Sequence, residues 1–182
     1  SSSGKTTLAR ALQDFLEPPF LRLGIDSMID LMPEKMNNWV GGESSLGFCW
    51  RSQVNDEGPQ SYHLHKGPFA KKITDSLKDI VVLLASQNYN LIIDDVSFGV
   101  HEVNQWQRKL RDQHVLYVGL TTPLEVLEER EEKREDRLNG TARGQFFKVH
   151  EGVTYDLEIN PMNFPMEKIT AKIKQLLEEK FY

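Results

Sequence analysis

The first residues of the chain have the types and spacing of a phosphate-binding loop. They form the second half of the P-loop pattern G-x-x-x-x-G-K-[ST]. Lys5 is predicted to reach the β- and γ-phosphates of ATP, and the Thr6 hydroxyl is predicted to hold Mg²⁺. The predicted nucleotide-binding residues are Ser1, Ser2, Ser3, Gly4, Lys5, Thr6 and Thr7. The alternative is an ordinary helix start capped by serine.

A P-loop is normally preceded by a strand. The first glycine of the pattern would lie two residues before Ser1. That strand belongs inside a parallel sheet, where its loss would leave buried backbone groups of its neighbours without partners. We therefore expect a strand of several residues and a glycine to precede Ser1.

Carboxylates follow two predicted strands. Asp26 follows an apolar segment at 20–25, and Asp94 and Asp95 follow the apolar run 91–93. Asp26 could accept the proton of a substrate hydroxyl, or it could cap the turn that starts at Ser27. Asp94 or Asp95 could hold Mg²⁺, with Asp94 as the first candidate; the alternative is a helix-capping pair.

The predicted elements alternate between strands and helices. The apolar residues Leu8, Leu12, Phe15 and Leu16 indicate a helix that ends before Pro18. Further helices are expected at 69–87, at 102–112, after Pro123 and at 165–181, and further strands at 48–50, 91–93, 115–120 and 155–159. This order predicts an α/β fold with a parallel sheet and helices on both faces, in which ligands bind at the carboxyl ends of the strands.

Two segments outside this frame are candidates for the substrate side of the site. Residues 37–67 are rich in glycine and polar residues and are predicted to be an insertion near the acceptor. His63 and His65 in this segment are interpreted as solvated or packed rather than as metal ligands.

Residues 130–146 are predicted to form a lid. Arg130, Arg134 and Arg137 recur at helical spacing and would share a face over the transferred phosphate. The alternative is a solvated, salt-bridged helix.

The composition of the chain limits the classes of partner that the protein is expected to bind. The chain has 182 residues, which suits a single domain, and its net charge of −5 argues against nucleic acid and anionic membranes as partners. No apolar run reaches the ~18 residues that a membrane helix needs. Cys49 is the only cysteine, so no intramolecular disulfide can form, and we expect a cytoplasmic location.

Several blocks together resemble the chloramphenicol phosphotransferase family over nearly the full chain. They are Ser3-Gly4-Lys5-Thr6, Gly24-Ile25-Asp26-Ser27 with Met32-Pro33 and Lys35-Met36, Ile92-Ile93-Asp94-Asp95-Val96, Val115-Leu116-Tyr117-Val118-Gly119, Arg134-Glu135-Asp136-Arg137 with Gly140, and Val149-His150-Glu151-Gly152-Val153 with Tyr155-Asp156. The resemblance implies a shikimate-kinase-like P-loop fold, ATP and Mg²⁺ as cosubstrates, Asp26 as the base, and Arg134 and Arg137 in the lid. Residues 37–67 do not align with the family pattern.

The sequence thus favours an ATP-dependent O-phosphotransferase that phosphorylates a hydroxyl of a small molecule, for which a chloramphenicol-like acceptor is one option. A P-loop kinase for a nucleotide, sugar or protein hydroxyl is an alternative. A nucleotide-binding module without turnover is a third, and it would have no need of Asp26 beside the γ-phosphate.

Overall fold

A computed structural model describes residues 2–53, 60–134 and 138–181. The helices are α1 Lys5–Phe15, α2 Ile25–Ile29, α3 Pro68–Ser86, α4 Gly99–Lys109, α5 Leu124–Glu132, α6 Thr141–Val149 and α7 Met166–Phe181, with a 3₁₀ turn at Glu34–Met36. The strands are β1 Phe20–Gly24, β2 Phe48–Gln53, β3 Ser61–Lys66, β4 Asn90–Asp94, β5 Val118–Leu120 and β6 Leu157–Ile159. None of the helices in these ranges has the length and apolar character that crossing a membrane requires.

Parallel strand pairs form the centre of the fold. β1 pairs with β4, with Gly24 opposite Asp94, and β5 pairs with β6, with Leu120 opposite Ile159. Apolar side chains from α1 and α7 pack on one face of the strands, where they meet Ile92, whereas those of α3 and α4 pack on the opposite face, where they meet Leu91 and Ile93. The predicted α/β architecture is confirmed.

A cavity of about 1510 Å³ lies between the two parallel pairs. Residues 91–94 of β4 and 118–120 of β5 line it, together with Leu8 and Leu12 of α1. β4 and β5 do not pair with each other within the described residues. The cavity has apolar walls and extends to Ser3. The strand expected before the P-loop stays a prediction.

Several boundaries differ from the sequence-based ones for local reasons. β1 ends at Gly24, one residue early, and Asp26 lies inside α2. Gly24 lies against β4 so closely that a Cβ there would be 2.2 Å from the Asp94 carbonyl oxygen. β5 begins only at Val118, because the Tyr117 N–H donates to the Asp156 carboxylate rather than to a strand. Phe15, one of the four apolar residues that indicated α1, is 44% exposed.

Within 37–67, the described residues contain two antiparallel strands, the β2–β3 hairpin, after a short lead-in. β2 and β3 are antiparallel, so the short strand expected at 48–50 is the start of a longer one. Phe48 stacks on Trp39 and is completely buried against Met32 and Ala70. The hairpin is therefore anchored to the body of the protein through an apolar face.

The long charged helix expected after Pro123 is wrong. α5 ends at Glu132, and a second helix, α6, begins at Thr141 after Gly140, whose φ is +95°. Arg134 lies beyond the end of α5, so helical spacing does not place it on a common face with Arg130. Arg137 lies outside the described residues.

Candidate active site

The start of α1 is open toward solvent. Gly4 precedes the helix with φ +92°, and no side chain caps the helix N-terminus. The serine-capped alternative is therefore wrong. The first turn of a helix leaves backbone N–H groups without intrahelical acceptors, and nothing lies within 4 Å of the position that a Cβ of Gly4 would take. The Ser2 hydroxyl is buried with no hydrogen-bond partner in the described part of the chain, which fits an oxygen-rich ligand beside it. Ser1 lies outside the described residues.

Two side chains hold the loop before α1 in place. Thr122 donates from its hydroxyl to the Ser3 carbonyl oxygen over 3.4 Å, and the Arg130 Nη1 donates to the Ser2 carbonyl oxygen over 3.1 Å. Thr122 is buried after β5, and Arg130 lies on α5. The loop is thus tied to the chain that leads into the predicted lid, and Arg130 reaches it directly.

Asp94 and Asp95 differ in their surroundings. The Asp95 carboxylate accepts hydrogen bonds from the Trp106 indole N–H over 3.0 Å and from the Ser97 hydroxyl over 3.5 Å. Asp94 is 4.0 Å from the Arg22 guanidinium, and its side chain is 8% exposed. Neither residue caps α4: Phe98 is its N-cap, and the Phe98 N–H donates to Glu102. The capping alternative is wrong, and the hydrogen bonds of Asp95 favour Asp94 as the metal ligand.

Both aspartates line the cavity, as do Ser3 and Lys5. The described residues contain no group of three or more His, Cys, Asp or Glu side chains that could hold a metal by themselves. Mg²⁺ bound with a nucleotide needs only one or two protein ligands, because phosphates and water supply the rest. Thr6, which is exposed at the start of α1, and Asp94 are of the correct chemical types.

Asp26 lies in the first turn of α2 and is exposed. Gly24 is the N-cap of α2, and no side chain caps this helix, so the capping alternative for Asp26 is also wrong. The pairing of Gly24 with Asp94 places Asp26 just beyond the edge at which β4 ends. Asp26 does not line the cavity that contains Lys5 and Asp94; its carboxylate stands outside this cavity.

His150 is near the P-loop, although the sequence analysis gave it no role. Its Nδ1 lies 2.8 Å from the Tyr155 hydroxyl, and it also bonds the Leu120 backbone. Burial lowers the pKa of His150, and the Lys5 ammonium acts in the same direction, against the opposing effects of Leu120 and Glu158. The Tyr155 ring in turn occupies the space beside Gly119, where a Cβ would be 2.6 Å from the ring. The His150 side chain is thus fixed by Tyr155 and Leu120 within electrostatic reach of the Lys5 ammonium.

A family model describes nearly the whole chain. The model of the chloramphenicol phosphotransferase-like proteins matches residues 1–178. The chain belongs to the chloramphenicol phosphotransferase-like family. Two candidate O-phosphotransferases of Mycobacterium tuberculosis, from strains H37Rv and CDC 1551, are each 27% identical to it over 176 residues, covering 96% of this chain and 77% of the relatives. The resemblance found in the sequence is confirmed, and the family supports a phosphotransferase.

Solved structures of kinases share the fold. An APS kinase of Mycobacterium tuberculosis in complex with AMPPNP and APS superposes with a TM-score of 0.67 at 16% identity, covering 98% of this chain and 92% of that one. A sugar kinase from Janibacter gives 0.59 at 18% identity, covering 98% and 90%, and a gluconokinase from Sinorhizobium meliloti gives 0.57 at 12%, covering 98% and 87%. This family member therefore has the P-loop kinase fold.

The lid region of this chloramphenicol phosphotransferase-like protein is organised around Glu131, which is 1% exposed. Its carboxylate accepts the N–H of Gly140 over 2.7 Å, the N–H of Ala142 over 2.8 Å and the Thr141 hydroxyl. Arg143 of α6 forms an ion pair with Glu128 over 2.6 Å. Arg134 is exposed, so its role in transfer stays a prediction. The start of α6 depends on contacts with Glu131 nine or more positions earlier, and the run of charged residues around Glu131 gave no sequence signal for them.

Proposed function

We propose that this protein transfers the γ-phosphate of ATP to a hydroxyl of a small molecule, with chloramphenicol-like compounds among the candidate acceptors. The observation that carries the proposal is the presence of three features around one cavity. These are the uncapped start of α1, the Lys5 ammonium and the Asp94 carboxylate at the end of β4. A positive helix end, a lysine and a carboxylate are the groups that a nucleotide triphosphate with its metal requires.

Each group has a role in holding the nucleotide. The N–H groups at the start of α1 would bind phosphate oxygens, and Lys5 would contact the β- and γ-phosphates. The Thr6 hydroxyl and Asp94 would hold Mg²⁺. A Mg²⁺ ion held there would supply positive charge to offset the negative charge that develops on the transferring phosphate. Membership of the chloramphenicol phosphotransferase-like family and the P-loop kinase fold support this proposal.

In the transfer itself, the acceptor oxygen forms a bond to the γ-phosphorus while the bond from that phosphorus to the β–γ bridging oxygen breaks, and ADP leaves. The acceptor proton passes to the Asp26 carboxylate. The Asp26 carboxylate supports this role because it is exposed, lies just past the end of β1 and does not cap a helix.

Arg134 and Arg137 in the lid, residues 130–146, would stabilise the transferring phosphate, and the hairpin in 37–67 would shape the acceptor pocket. Cys49 is buried and free, which fits the cytoplasmic location that we include in the proposal.

The decisive test of the mechanism is Asp26→Asn. Asparagine keeps the shape but cannot act as a base, so we expect acceptor-dependent ADP release to fall about 10²–10⁴-fold while ATP affinity stays within a few-fold. Turnover is measured with a panel of hydroxyl compounds that includes chloramphenicol, together with the melting temperature. Asp30→Asn is the matched control, because Asp30 is also exposed and lies at the other end of α2. Near-normal turnover of Asp26→Asn would remove Asp26 from the mechanism.

The nucleotide site is tested by Lys5→Ala. Loss of the ammonium beside the phosphates should weaken ATP binding and nearly abolish transfer with every acceptor. Calorimetric titration with ATP and Mg²⁺ measures the first effect, and ADP release measures the second. Unchanged values for both would refute the assignment of the P-loop.

A further inference from the structure

The β2–β3 hairpin has one apolar face and one basic face. Side chains alternate between the two faces of a strand, and the pairing places Arg51 opposite His63 and Cys49 opposite His65. Phe48 and Leu64 belong to the other face, which packs on Met32 and Ala70. One arginine and two histidines are therefore presented together, away from the apolar cluster below the hairpin.

The hairpin bridges two sides of the proposed transfer site. At one end of β3, Lys66 binds Glu102 over 2.9 Å and its ammonium lies 5.5 Å from the centre of the Phe98 ring. At the other end, the Tyr62 N–H donates to the Gly140 carbonyl oxygen over 3.1 Å, and a Cβ on Gly144 would be 1.8 Å from the Tyr62 carbonyl oxygen.

Ser97 is next to Phe98 in the chain, and Gln145 is next to Gly144. Ser97 and Gln145 both line the cavity that Lys5 and Asp94 also line. His63 and His65 lie on β3 between the two contacts. The basic face of the hairpin therefore lies between two segments that border the cavity.

Within the described residues, the positive groups on this face have no carboxylate partners. The Arg51 Nε is buried without a hydrogen-bond partner, and neither Arg51 nor Lys148 of α6 forms an ion pair with the rest of the described chain. Burial lowers the pKa of His63, and the charges of Lys148, Arg51 and His65 lower it further, with no opposing negative group. Lys66, by contrast, is neutralised by Glu102. In a chain with a net charge of −5, such a grouping is notable.

We propose that Arg51, His63 and Lys148 form an anion subsite, so that the acceptor carries a phosphate, sulfate or carboxylate group in addition to the hydroxyl that is phosphorylated. The inference rests on the proposed function and narrows its substrate class. A buried guanidinium N–H without an acceptor is costly, whereas charge-assisted hydrogen bonds to an oxyanion would satisfy it. A neutral acceptor would bring no negative charge to offset these three basic side chains.

The first experiment tests the subsite without turnover. Inorganic sulfate is titrated into the Lys5→Ala protein, in which binding at the P-loop is weakened, while NMR follows the imidazole signals of His63. Sulfate should shift these signals in a saturable manner and raise the pKa of His63, because an anion favours the imidazolium. Arg51→Gln and Lys148→Gln should each weaken sulfate binding by about tenfold or more, as expected for charge-assisted contacts.

The control is Arg108→Gln, since Arg108 is exposed on α4 and bonds only the Asn104 carbonyl of its own helix. This change should leave the affinity for sulfate unaltered. Absence of a saturable shift at His63 would overturn the subsite. An affinity that is equal in Arg51→Gln and the parent protein would overturn it as well.

The second experiment compares acceptors in matched pairs, a neutral alcohol against the same alcohol carrying a phosphate, sulfate or carboxylate. The kcat/KM should favour the anionic member of a pair by about tenfold or more in the wild-type protein, and Arg51→Gln should remove the preference. The preferred group identifies which anion the site takes. Equal kcat/KM for neutral and anionic members would overturn the inference while leaving the phosphotransferase intact. Saturable sulfate binding at His63 without turnover of any acceptor would support the subsite and refute the proposed function.

Discussion

Glu131 offers the most quantitative prediction of this structure. Its carboxylate is buried and accepts two backbone N–H groups and one hydroxyl at the start of α6. These donors belong to Gly140, Thr141 and Ala142, and Thr141 is completely buried. Without the carboxylate, three donors would remain in a site from which water is excluded.

The magnitude follows from the number of donors. A buried polar group that loses its partner costs about 1–3 kcal/mol. Because α6 can partly relax, we expect Glu131→Ala to lower the free energy of unfolding by about 3–5 kcal/mol in total. For a chain of this size, each kcal/mol lowers the melting temperature by about 2–4 °C, so the total decrease should be about 6–20 °C. Glu131→Gln keeps one acceptor oxygen, so its free energy of unfolding should lie between those of the wild-type protein and Glu131→Ala.

Urea unfolding followed by circular dichroism measures these changes. Glu132→Ala is the matched control, because Glu132 is the next residue of α5 and is exposed; its change should stay within about 0.5 kcal/mol. A loss of less than about 1 kcal/mol for Glu131→Ala would show that the three donors find other partners, and would refute the reasoning.

Three further predictions concern the site and its surroundings. An ATP analogue should slow hydrogen exchange in 130–134 and 138–146, because a lid that binds phosphate is mobile without nucleotide; unchanged exchange favours a solvated segment. Asp94→Asn should raise the Mg²⁺ concentration needed for turnover by tenfold or more, whereas Asp95→Asn should mainly lower the melting temperature by weakening the bond to Trp106; equal Mg²⁺ dependence would contradict the assignment. Burial tends to raise the pKa of Asp156, but hydrogen bonds from Lys180 and the Tyr117 N–H bring it below its ordinary value. The stability that Asp156 contributes is therefore present above about pH 4 and is lost as the pH falls through its folded pKa, so the difference from Asp156→Asn should shrink in acid.

The sequence predicted those elements whose signal is local. Leu91, Ile92 and Ile93 form a continuous apolar run between polar residues, and this run is β4. The P-loop motif likewise located the start of α1 at Lys5. Both patterns depend on a few neighbouring residues, so no tertiary contact was needed to read them.

Elements fixed by distant contacts were missed or misplaced. α6 begins where a carboxylate nine or more positions earlier accepts its first N–H groups, and a helix-period pattern does not contain this information. The start of β5 depends on Asp156, which is 39 positions from Tyr117. Similarly, Arg51 and His63 are far apart in the sequence and are brought opposite each other only by the register of β2 and β3. Residue types predicted which functional groups the protein has, whereas the sequence did not predict which residues lie next to each group in the fold.

The bond between Trp106 and Asp95 gives the protein an internal optical probe. Trp106 is 6% exposed, and its indole N–H points at a carboxylate adjacent to the proposed metal ligand. Indole emission responds to nearby charge, so occupancy of the neighbouring site should change the fluorescence of this side chain. Trp50 is also buried but lies in the hairpin, and Trp39 is 37% exposed, so replacing these two with phenylalanine would leave one emitter beside Asp95. Stopped-flow measurements on such a protein could follow nucleotide arrival in real time without a label.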